Sequence, residues 1–393
     1  MAALSCDVLV VGAGPAGCAA AAGLARSGLD VLLIEAKELP RPKACAEYAS
    51  PRIVEELGRL GVPQAAWRAD ASALRGMRVI RGDDAVQVAY RDAAGPRSAW
   101  GLDRTRFDAA LAAHAVACGA RMLERTRFEE LSGEGATRGV GARVRSASGS
   151  HEVRCRWVIG ADGARSRVAQ RAGVEVLPFP RRLGLVAHYE GVDALRDHGE
   201  MHVAPRWYVG LAPLAGGRLN VGMALPLDGD RRPAEERFGS AIDGLPAVAA
   251  HLRGRERLSP IRGAAPIGHR VSRAAGDGWM LVGDAAGFID PFTGEGIYRA
   301  LRSGRAAAEA LAGGLDPAAA DRYRAARREA FAAKDALTWL VQAMLAVRPV
   351  MGYALRRLSA RPELAQRLGS ALGDCRPASD ALSPLFLARV LRP

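Results

Sequence analysis

The chain has 393 residues, enough for two or three domains around a large core. Its 49% hydrophobic and 25% charged residues are typical of a globular protein, and its net charge of +13 admits nucleic acid, an anionic membrane surface or an anionic small ligand as a partner. No run of Lys and Arg exceeds three residues, and no aromatic residues alternate with them as stacking platforms. We therefore expect no nucleic-acid partner.

The six cysteines, at positions 6, 18, 45, 118, 155 and 375, form no Cys-x-x-Cys pair and have no His partners at zinc spacing. They predict free thiols in a reducing cytoplasm, and the sequence predicts no metal site. The chain enters a strand almost at once instead of a secretory apolar segment, and no apolar run reaches the ~20 residues that span a bilayer. We expect a cytoplasmic protein whose membrane contact is at most peripheral.

The N-terminal stretch "CDVLVVGAGPAGCAAAAGLARSGLDVLLIEA" combines a buried strand, a glycine turn, an Ala-rich helix and a second buried strand. Gly12, Gly14 and Gly17 have the G-x-G-x-x-G spacing, in which the first glycine makes the turn, the second admits a pyrophosphate and the third lets helix and strand pack closely. The free N–H groups at the start of the helix favour phosphate. Glu35 ends the second strand, where a carboxylate accepts hydrogen bonds from ribose hydroxyls. The stretch predicts a dinucleotide site.

A second glycine-rich stretch, "GEGATRGVG" at 133–141, follows no apolar strand and precedes no helix. We interpret it as a surface hairpin, so the chain has one dinucleotide cradle and a second nucleotide must bind transiently.

Three further motifs carry a family resemblance. The first begins a helix with Arg-x-x-Phe-Asp, in "LDRTRFDAALAAHAVACGA" from Leu102. The second ends a strand in Asp-Gly, in "WVIGADGARSRVAQRAG" from Trp157. The third has a strand, Gly-Asp, a loop and Gly-x-Gly before a helix, in "GWMLVGDAAGFIDPFTGEGIYRALRSGRAAAEAL" from Gly278. Together with the N-terminal stretch, and in their order along the chain, these motifs resemble those of FAD-dependent oxidoreductases of the p-hydroxybenzoate hydroxylase superfamily.

The resemblance implies an α/β fold with a glutathione-reductase-type FAD-binding Rossmann domain formed by residues 1–76, 100–175 and 262–330. A mixed β-sheet substrate domain, 77–99 and 176–261, is inserted into it, and a helical segment, 331–393, follows. Asp284 is expected at the ribityl chain and the 294–297 backbone at the flavin ring. Asp162 is expected either near the pyrophosphate or as a helix N-cap. The expected FAD-binding residues are Gly12, Gly14, Pro15, Ala16, Gly17, Glu35, Ala36, Lys43, Cys45, Arg104, Asp162, Gly283, Asp284, Pro291, Gly294, Gly296 and Ile297.

The stretch "ELPRPKACAEYASPRIVEELGRLGV", from Glu38, resembles the Pro-x-x-Lys-x-Cys-Gly-Gly segment of the geranylgeranyl reductase group, whose Lys and Cys lie beside the flavin ring. Lys43 and Cys45 match, but Ala46-Glu47 replaces Gly-Gly. Cys45 and Glu47 are candidate catalytic residues; Glu47 is interpreted either as an acid/base or as a surface cap of the helix that follows.

Two blocks of strand-like sequence, 77–91 and 182–226, predict the substrate layer, with a hairpin turn at "LAGGRL". Tyr208 is the third candidate catalytic residue, and His188 and His202 are candidate pocket residues. The aromatic Tyr-x-Trp-x-Phe-Pro line of the reductase group is replaced here by "WYVGLAP".

The family resemblance leaves two activities open. One is an NAD(P)H- and O₂-using monooxygenase that hydroxylates or epoxidises an apolar or aromatic substrate. The other is an ene-reductase that saturates an isoprenoid double bond. The two departures from the reductase pattern favour the monooxygenase. The apolar helices at 336–358 predict a packed helix pair or a contact with a membrane interface.

Overall fold

The chain alternates strands and helices through its first three quarters and ends in helices. The computed structural model describes residues 4–133, 140–176, 182–195 and 197–392. Within them, strands β1 to β23 span Leu4–Ser5, Val8–Val11, Val31–Ile34, Tyr48–Ala49, Ala71–Leu74, Gly76–Arg81, Asp84–Asp92, Gly95–Arg97, Ala99–Leu102, Arg121–Leu123, Arg127–Gly133, Val140–Ser146, Gly149–Cys155, Trp157–Gly160, Glu175–Val176, Arg182–Glu190, His198–Ala204, Trp207–Leu214, Arg218–Pro226, Arg262–Ala264, Arg270–Val271, Ala275–Gly276 and Trp279–Leu281. Helices α1 to α12 span Pro15–Arg26, Ile53–Arg59, Arg104–Ala117, Arg167–Arg171, Ala234–Asp243, Pro246–Leu252, Gly296–Ala312, Ala319–Ala346, Arg348–Ser359, Pro362–Leu372, Ser379–Leu382 and Pro384–Leu391.

A six-stranded sheet in the order β10-β3-β2-β14-β23-β22 forms the first layer. Its central strands are short apolar runs that are buried along their whole length, as parallel strands covered on both faces must be. Strands β2, β3, β14 and β23 pair in parallel, so their carboxyl ends meet at one edge of the sheet. Helices α1 and α7 both begin beyond that edge, which is where α/β sheets bind ligands.

An eight-stranded mixed sheet forms the second layer, in the order β20-β16-β19-β18-β17-β6-β7-β8. Strands β18 and β19 form the predicted hairpin, in full antiparallel register from Tyr208–Ala224 to Leu214–Arg218. Strand β17 pairs in parallel with β6, which joins the two strand-rich blocks of the sequence into a single sheet. The predicted α/β fold with an inserted mixed sheet and C-terminal helices is therefore confirmed.

The C-terminal helices cover the edge of the large sheet formed by β6 to β8. Residues of α8, α9, α10 and α12 share one hydrophobic cluster with residues of β7, β17 and β18. Helix α8 also contributes Tyr323 to the core around the six-stranded sheet. A single helix thus belongs to both cores, and the predicted boundary at 330/331 falls inside it. Likewise, Arg262–Ala264 pair with β16 in the large sheet, although the sequence boundaries placed them in the FAD-binding domain.

The hairpin predicted at 133–141 has its paired strands in place. Strands β11 and β12 are antiparallel up to the pair Gly133–Val140, and residues 134–139 lie outside the described residues.

In the described ranges, no single helix is long and apolar enough to cross a membrane. The bent pair Ala319–Ala346 and Pro349–Ser359, with 112° between its arms, passes the same test by length and composition.

Candidate dinucleotide and substrate site

The glycine turn after β2 has the close contacts that its sequence spacing predicts. Gly12 has φ +103°, and a Cβ there would lie 2.6 Å from the carbonyl oxygen of Ala161 on the neighbouring strand connection. A Cβ on Gly17 would lie 1.9 Å from the Gly12 carbonyl oxygen. A Cβ on Gly14 would meet nothing within 4 Å. The first and third glycines are therefore required by packing, whereas the second faces open space where a ligand can approach.

Glu35 lies at the end of β3 and is buried. Its carboxylate accepts hydrogen bonds from the Ala13 N–H at 3.0 Å and the Lys37 N–H at 3.1 Å, and from the Arg41 guanidinium at 3.0 Å. These bonds fix the carboxylate beside the glycine turn. The residue that sequence analysis placed at the ribose is thus held in one orientation by its own neighbours.

Two cavities meet at this turn. The first, named here the βαβ cavity, holds about 960 Å³ including its open mouth and is lined by the glycine turn, Glu35 and Ala36. The second, the sheet cavity, holds about 1550 Å³ including its open mouth and lies between the carboxyl edge of the parallel sheet and the face of the large sheet. Both are lined by Gly14, Lys43 and Ala161, so they form one elongated space. Its shape suits an extended dinucleotide.

The βαβ cavity is strongly basic. Its lining includes Arg41, Lys43, Arg127, Arg165 and Arg167 beside the first turn of α1, which no side chain caps. Uncapped helix N–H groups and cations together favour a pyrophosphate. Part of the large positive charge of the chain is concentrated here.

Asp162, in the connection after β14, lies at the start of α4 and also lines the βαβ cavity. Ser166 is the N-cap of α4, and Asp162 Oδ2 accepts two further hydrogen bonds from its first turn, from the N–H groups of Arg167 and Val168 at 2.6 and 3.3 Å. Its Oδ1 is buried, lines the βαβ cavity and has no hydrogen-bond partner among the described residues. Burial raises the pKa of this carboxyl.

A second helix N-terminus reaches the sheet cavity from the other side. Gly283, Asp284, Pro291, Gly294, Gly296 and Ile297 all line it, together with Pro15 and Ala16 of α1. Gly294 has φ +69°, and a Cβ there would lie 2.7 Å from the Tyr48 ring. The starts of α1 and α7 therefore face one space, as the two separate glycine motifs of the sequence predict.

Glu295, between these glycines, is buried in an ion-pair network that sequence analysis missed. Its Oε1 lies 2.8 Å from Lys334 Nζ of α8, which also lies 3.0 Å from Asp374. Burial raises the pKa of Glu295 to about 7 against the opposing charge of Lys334. The loop that lines the sheet cavity is thereby tied to the C-terminal helices.

Arg104 begins α3 and makes a bidentate bond to Asp108, at 2.7 and 2.8 Å. Burial would lower its pKa, but the Asp108 carboxylate outweighs that effect and leaves the pKa raised. The Cys45 side chain also raises the pKa of the guanidinium, and Asp108 lies 3.6 Å from Arg41. The ion-paired side chains of Arg104, Asp108 and Arg41 thus lie between Cys45 in the sheet cavity and Glu35 in the βαβ cavity.

Glu47 is not the surface helix cap that was one of its two predicted interpretations. It is 2% exposed, has φ +56°, and α2 begins only at Ile53. Its Oε1 accepts from the Arg104 N–H at 2.9 Å, and its Oε2 lies 2.9 Å from Asn220 Nδ2 and 2.6 Å from His188 Nε2. Asn220 also donates to the Cys45 carbonyl. The Cys45–Glu47 loop is thus fixed to the large sheet.

Tyr208 lines the sheet cavity, and its hydroxyl donates to Asp290 at 2.5 Å. Asp290 also lies 3.0 Å from Arg182, and the Tyr208 ring packs edge-on against Phe292. Burial and the Asp290 carboxylate raise the pKa of Tyr208 well above its ordinary value. His202 is not among the residues that line this cavity; its Nε2 lies 2.8 Å from Glu200.

Comparison with known proteins identifies the family. A family model described as an FAD binding domain matches residues 5–338. The chain belongs to this family of FAD-dependent oxidoreductases. Two independent features of the described residues fit FAD: the open space at Gly14, and the unpartnered Asp162 oxygen in a basic cavity continuous with a larger apolar one.

Two curated relatives and one solved structure refine this similarity. A menaquinone reductase of Mycobacterium tuberculosis is 36% identical over 323 residues, 78% of this chain and 76% of the relative. Digeranylgeranylglycerophospholipid reductase 1 of Methanopyrus kandleri is 36% identical over 316 residues, 77% of this chain and 79% of the relative. A geranylgeranyl bacteriochlorophyll reductase-like protein of Thermoplasma acidophilum superposes with a TM-score of 0.81 at 25% identity, over 99% of this oxidoreductase and 97% of that chain.

The functional residues that sequence reasoning missed lie far apart in the sequence. Asn220 and Asp290 are ordinary polar residues within strand and loop patterns, and Lys334 lies in a long amphipathic helix. Only the fold brings them to Glu47, Tyr208 and Glu295. Asp290 alone carried a local signal, since an Asp before Pro often starts a turn.

Proposed function

We propose that this oxidoreductase uses FAD to reduce a carbon–carbon double bond in the prenyl chain of a lipid or quinone. The observation that carries the proposal is the apolar wall of the sheet cavity beside the 294–297 backbone. That wall includes Met77, Val186, Met201, Met223, Ile267 and Phe292. Flexible Met side chains suit a long and irregular apolar substrate. The relatives named as menaquinone and digeranylgeranylglycerophospholipid reductases support the same substrate class.

The cofactor assignments of the sequence analysis form part of this proposal. The start of α1 would hold the pyrophosphate of FAD, Glu35 the ribose and Asp284 the ribityl chain. The backbone at Gly294–Ile297 would face the flavin ring, where helix N–H groups stabilise negative charge. When bound, FAD supplies hydride transfer, and NAD(P)H is the transient source of its electrons. The residues of these assignments that line the elongated space are Gly14 at the start of α1, Glu35, Asp284, Gly294, Gly296 and Ile297.

Cys45 is the residue that we assign to proton transfer at the substrate. Its sulfur accepts a hydrogen bond from the Glu47 N–H at 3.3 Å, and the Cys45 side chain raises the pKa of the Arg104 guanidinium. Because the Glu47 N–H approaches the sulfur from the protein side, we assign the thiol proton to the other side, which faces the sheet cavity that Cys45 lines. Glu47 then acts as a positioning residue, because its side-chain hydrogen bonds hold the Cys45 loop against the large sheet and the start of α3. Tyr208, whose hydroxyl is engaged by Asp290, shapes the apolar wall.

A monooxygenase that inserts oxygen into an apolar or aromatic substrate is the second candidate. The observation that favours it is Glu47, which stands where the reductase group has glycine and which carries a buried polar cluster to the edge of the cavity. A pocket that binds only an apolar substrate does not need such a buried polar cluster. Both candidates require the same cofactor site, so the product distinguishes them.

Anaerobic single turnover tests the proposal. The FAD-loaded enzyme is reduced with dithionite, mixed with a prenylated quinone or a geranylgeranyl lipid, and its products are analysed by mass spectrometry. A product that keeps two added hydrogens in its prenyl chain after any quinol has been reoxidised to the quinone, formed without oxygen, supports the reductase. A product with one added oxygen, formed only in air, replaces it with the monooxygenase.

The Cys45→Ala variant tests the proton-transfer assignment. We expect it to retain FAD and to lose about 10²-fold or more in the rate of substrate reduction. Cys118→Ala is the matched control, because Cys118 is also partly exposed but contacts His114 on α3. Equal rates in Cys45→Ala and the wild type would remove Cys45 from the mechanism.

A further inference from the structure

Three potential metal ligands converge behind the large sheet. Glu200 and His202 lie two residues apart on β17, and His251 lies near the end of α6. Oε2 of Glu200 lies 2.8 Å from His202 Nε2 and 3.1 Å from His251 Nε2. These three atoms all lie within 4.8 Å of one another. The two histidine side chains therefore direct the same ring nitrogen to one carboxylate oxygen.

The cluster lies where the large sheet packs against α5 and α6, and its Glu200 is also among the residues that line the sheet cavity. The residues opposite Glu200 and His202 on β18 are Leu211 and Val209. Both belong to a hydrophobic cluster with Phe238 of α5 and Val248 and Leu252 of α6. Directly opposed residues share a face of a sheet. Tyr208 and Gly210, which alternate with them along β18, line the sheet cavity, and so does Leu211.

The surroundings of the cluster suit a bound cation. Glu200 and His202 are 1% and 2% exposed, whereas the His251 side chain is 25% exposed, so an ion can enter from solvent past His251. The other carboxylate oxygen of Glu200 lies 2.8 Å from Arg78 Nη1. That bond orients the carboxylate and leaves Oε2 for the ion, as second-layer partners of metal ligands do.

We propose that Glu200, His202 and His251 bind one Zn²⁺ ion, which tethers α6 to the substrate sheet. Two imidazole nitrogens and one carboxylate oxygen are ligands that Zn²⁺ accepts, with water in the fourth tetrahedral position. The nitrogen–oxygen separations of about 3 Å already approach those between ligands of a common zinc ion. The ion would join α6 to β17, which is a structural role. The proposal is independent of the reaction at the flavin.

Metal titration of the FAD-loaded enzyme tests the site. After dialysis against a chelator, the protein is titrated with Co²⁺, whose visible absorption is intense in tetrahedral sites, and then with Zn²⁺. We expect one equivalent per chain, displacement of Co²⁺ by Zn²⁺, and a higher unfolding temperature in Zn²⁺. Removing one ligand in His251→Ala should weaken binding by about 100-fold or more and abolish the thermal shift.

Two variants make the result specific. Glu200→Gln keeps the shape of the side chain and should also lose the metal, whereas His151→Ala removes a histidine on strand β13 and should bind like the wild type. FAD content, measured in parallel, reports whether each variant is folded. Absence of stoichiometric binding in the wild type, or equal binding in His251→Ala, would overturn the proposal and leave a hydrogen-bonded Glu–His pair.

Discussion

At the scale of single residues, Glu35 tests the adenosine end of the site. Glu35→Ala removes the carboxylate that we assign to the ribose and also the acceptor of Ala13 and Arg41. Hydrogen bonds to charged groups contribute about 1.5–3 kcal/mol each, so FAD should bind about 10- to 100-fold more weakly. Fluorescence titration of the deflavinated protein with FAD measures the dissociation constant.

Glu38→Ala is the matched control for this prediction. Glu38 lies three residues further along, its side chain is 58% exposed, and it pairs with Arg125 at the surface. Its removal should leave the FAD affinity unchanged. An equal loss of affinity in both variants would mean that the loop, and not the Glu35 carboxylate, determines binding.

Glu47 allows backbone strain to be separated from side-chain bonding. Its φ of +56° lies in the left-handed region, which costs an alanine about 1–2 kcal/mol but costs a glycine little. Glu47→Ala and Glu47→Gly both remove the acceptor of Asn220 and the Arg104 N–H. We therefore expect both variants to be destabilised, and the alanine variant by about 1 kcal/mol more.

Urea unfolding of the two Glu47 variants with FAD bound measures this difference. A third variant, Glu47→Gln, keeps an oxygen acceptor and should lie closer to the wild type than either. Equal stability of the alanine and glycine variants would mean that they do not keep the left-handed backbone at position 47. The glycine that the reductase pattern has at this position would then not be explained by this backbone conformation.

At the scale of elements, the sequence was sufficient where the chemistry is local. Gly12, Gly17 and Glu35 belong to one strand–helix–strand unit, and their contacts follow from a spacing of a few residues. The hairpin of β18 and β19 followed from "LAGGRL" for the same reason. Glu47 could not be interpreted in this way, because its partners His188 and Asn220 are 141 and 173 residues away. Buried polar clusters between domains have no local pattern.

The contact between α1 and α7 positions both helix N-termini at the cofactor site. A Cβ on Gly304 of α7 would lie 2.2 Å from the Ala16 carbonyl oxygen of α1, so close that the two backbones would have to move apart. Gly304→Ala should therefore push the helices apart, destabilise the protein by about 1–3 kcal/mol and lower its FAD content.

The control for this helix pair is Gly313→Ala at the end of α7, where the nearest atom to a new Cβ is 3.5 Å away on the Arg322 side chain. That variant should retain both stability and FAD. Thermal unfolding and the flavin-to-protein absorbance ratio test the pair, and unchanged values for Gly304→Ala would show that the helices can separate without disturbing the site.

At the scale of the whole molecule, Glu295 joins segments that are distant in sequence. It lies at the start of α7, its partner Lys334 is on α8, and Asp374 follows α10. Arg299 also faces it, at 4.0 Å. The ion pairs hold the C-terminal helices against the loop that lines the cofactor cavity. Because this carboxyl is fully buried, its protonation state affects the stability of the assembly.

The pH dependence of unfolding follows from the direction of the Glu295 pKa shift. Burial raises this pKa from its ordinary 4.5 to about 7, so the folded state binds the proton more tightly than the unfolded chain. The resulting stabilisation is complete below about pH 4.5, decreases as the pH rises towards 7, and is lost above that value. The slope of this stabilisation against pH is at most about 1.4 kcal/mol per pH unit.

Glu295→Gln, which cannot ionise, should lack this component between pH 5 and 7, whereas Glu309→Gln at an exposed position of α7 should keep it. Urea unfolding at several pH values measures the difference between variant and wild type, in which the other titrating groups cancel. Parallel curves for the wild type and Glu295→Gln would show that this carboxyl keeps the same charge throughout the range.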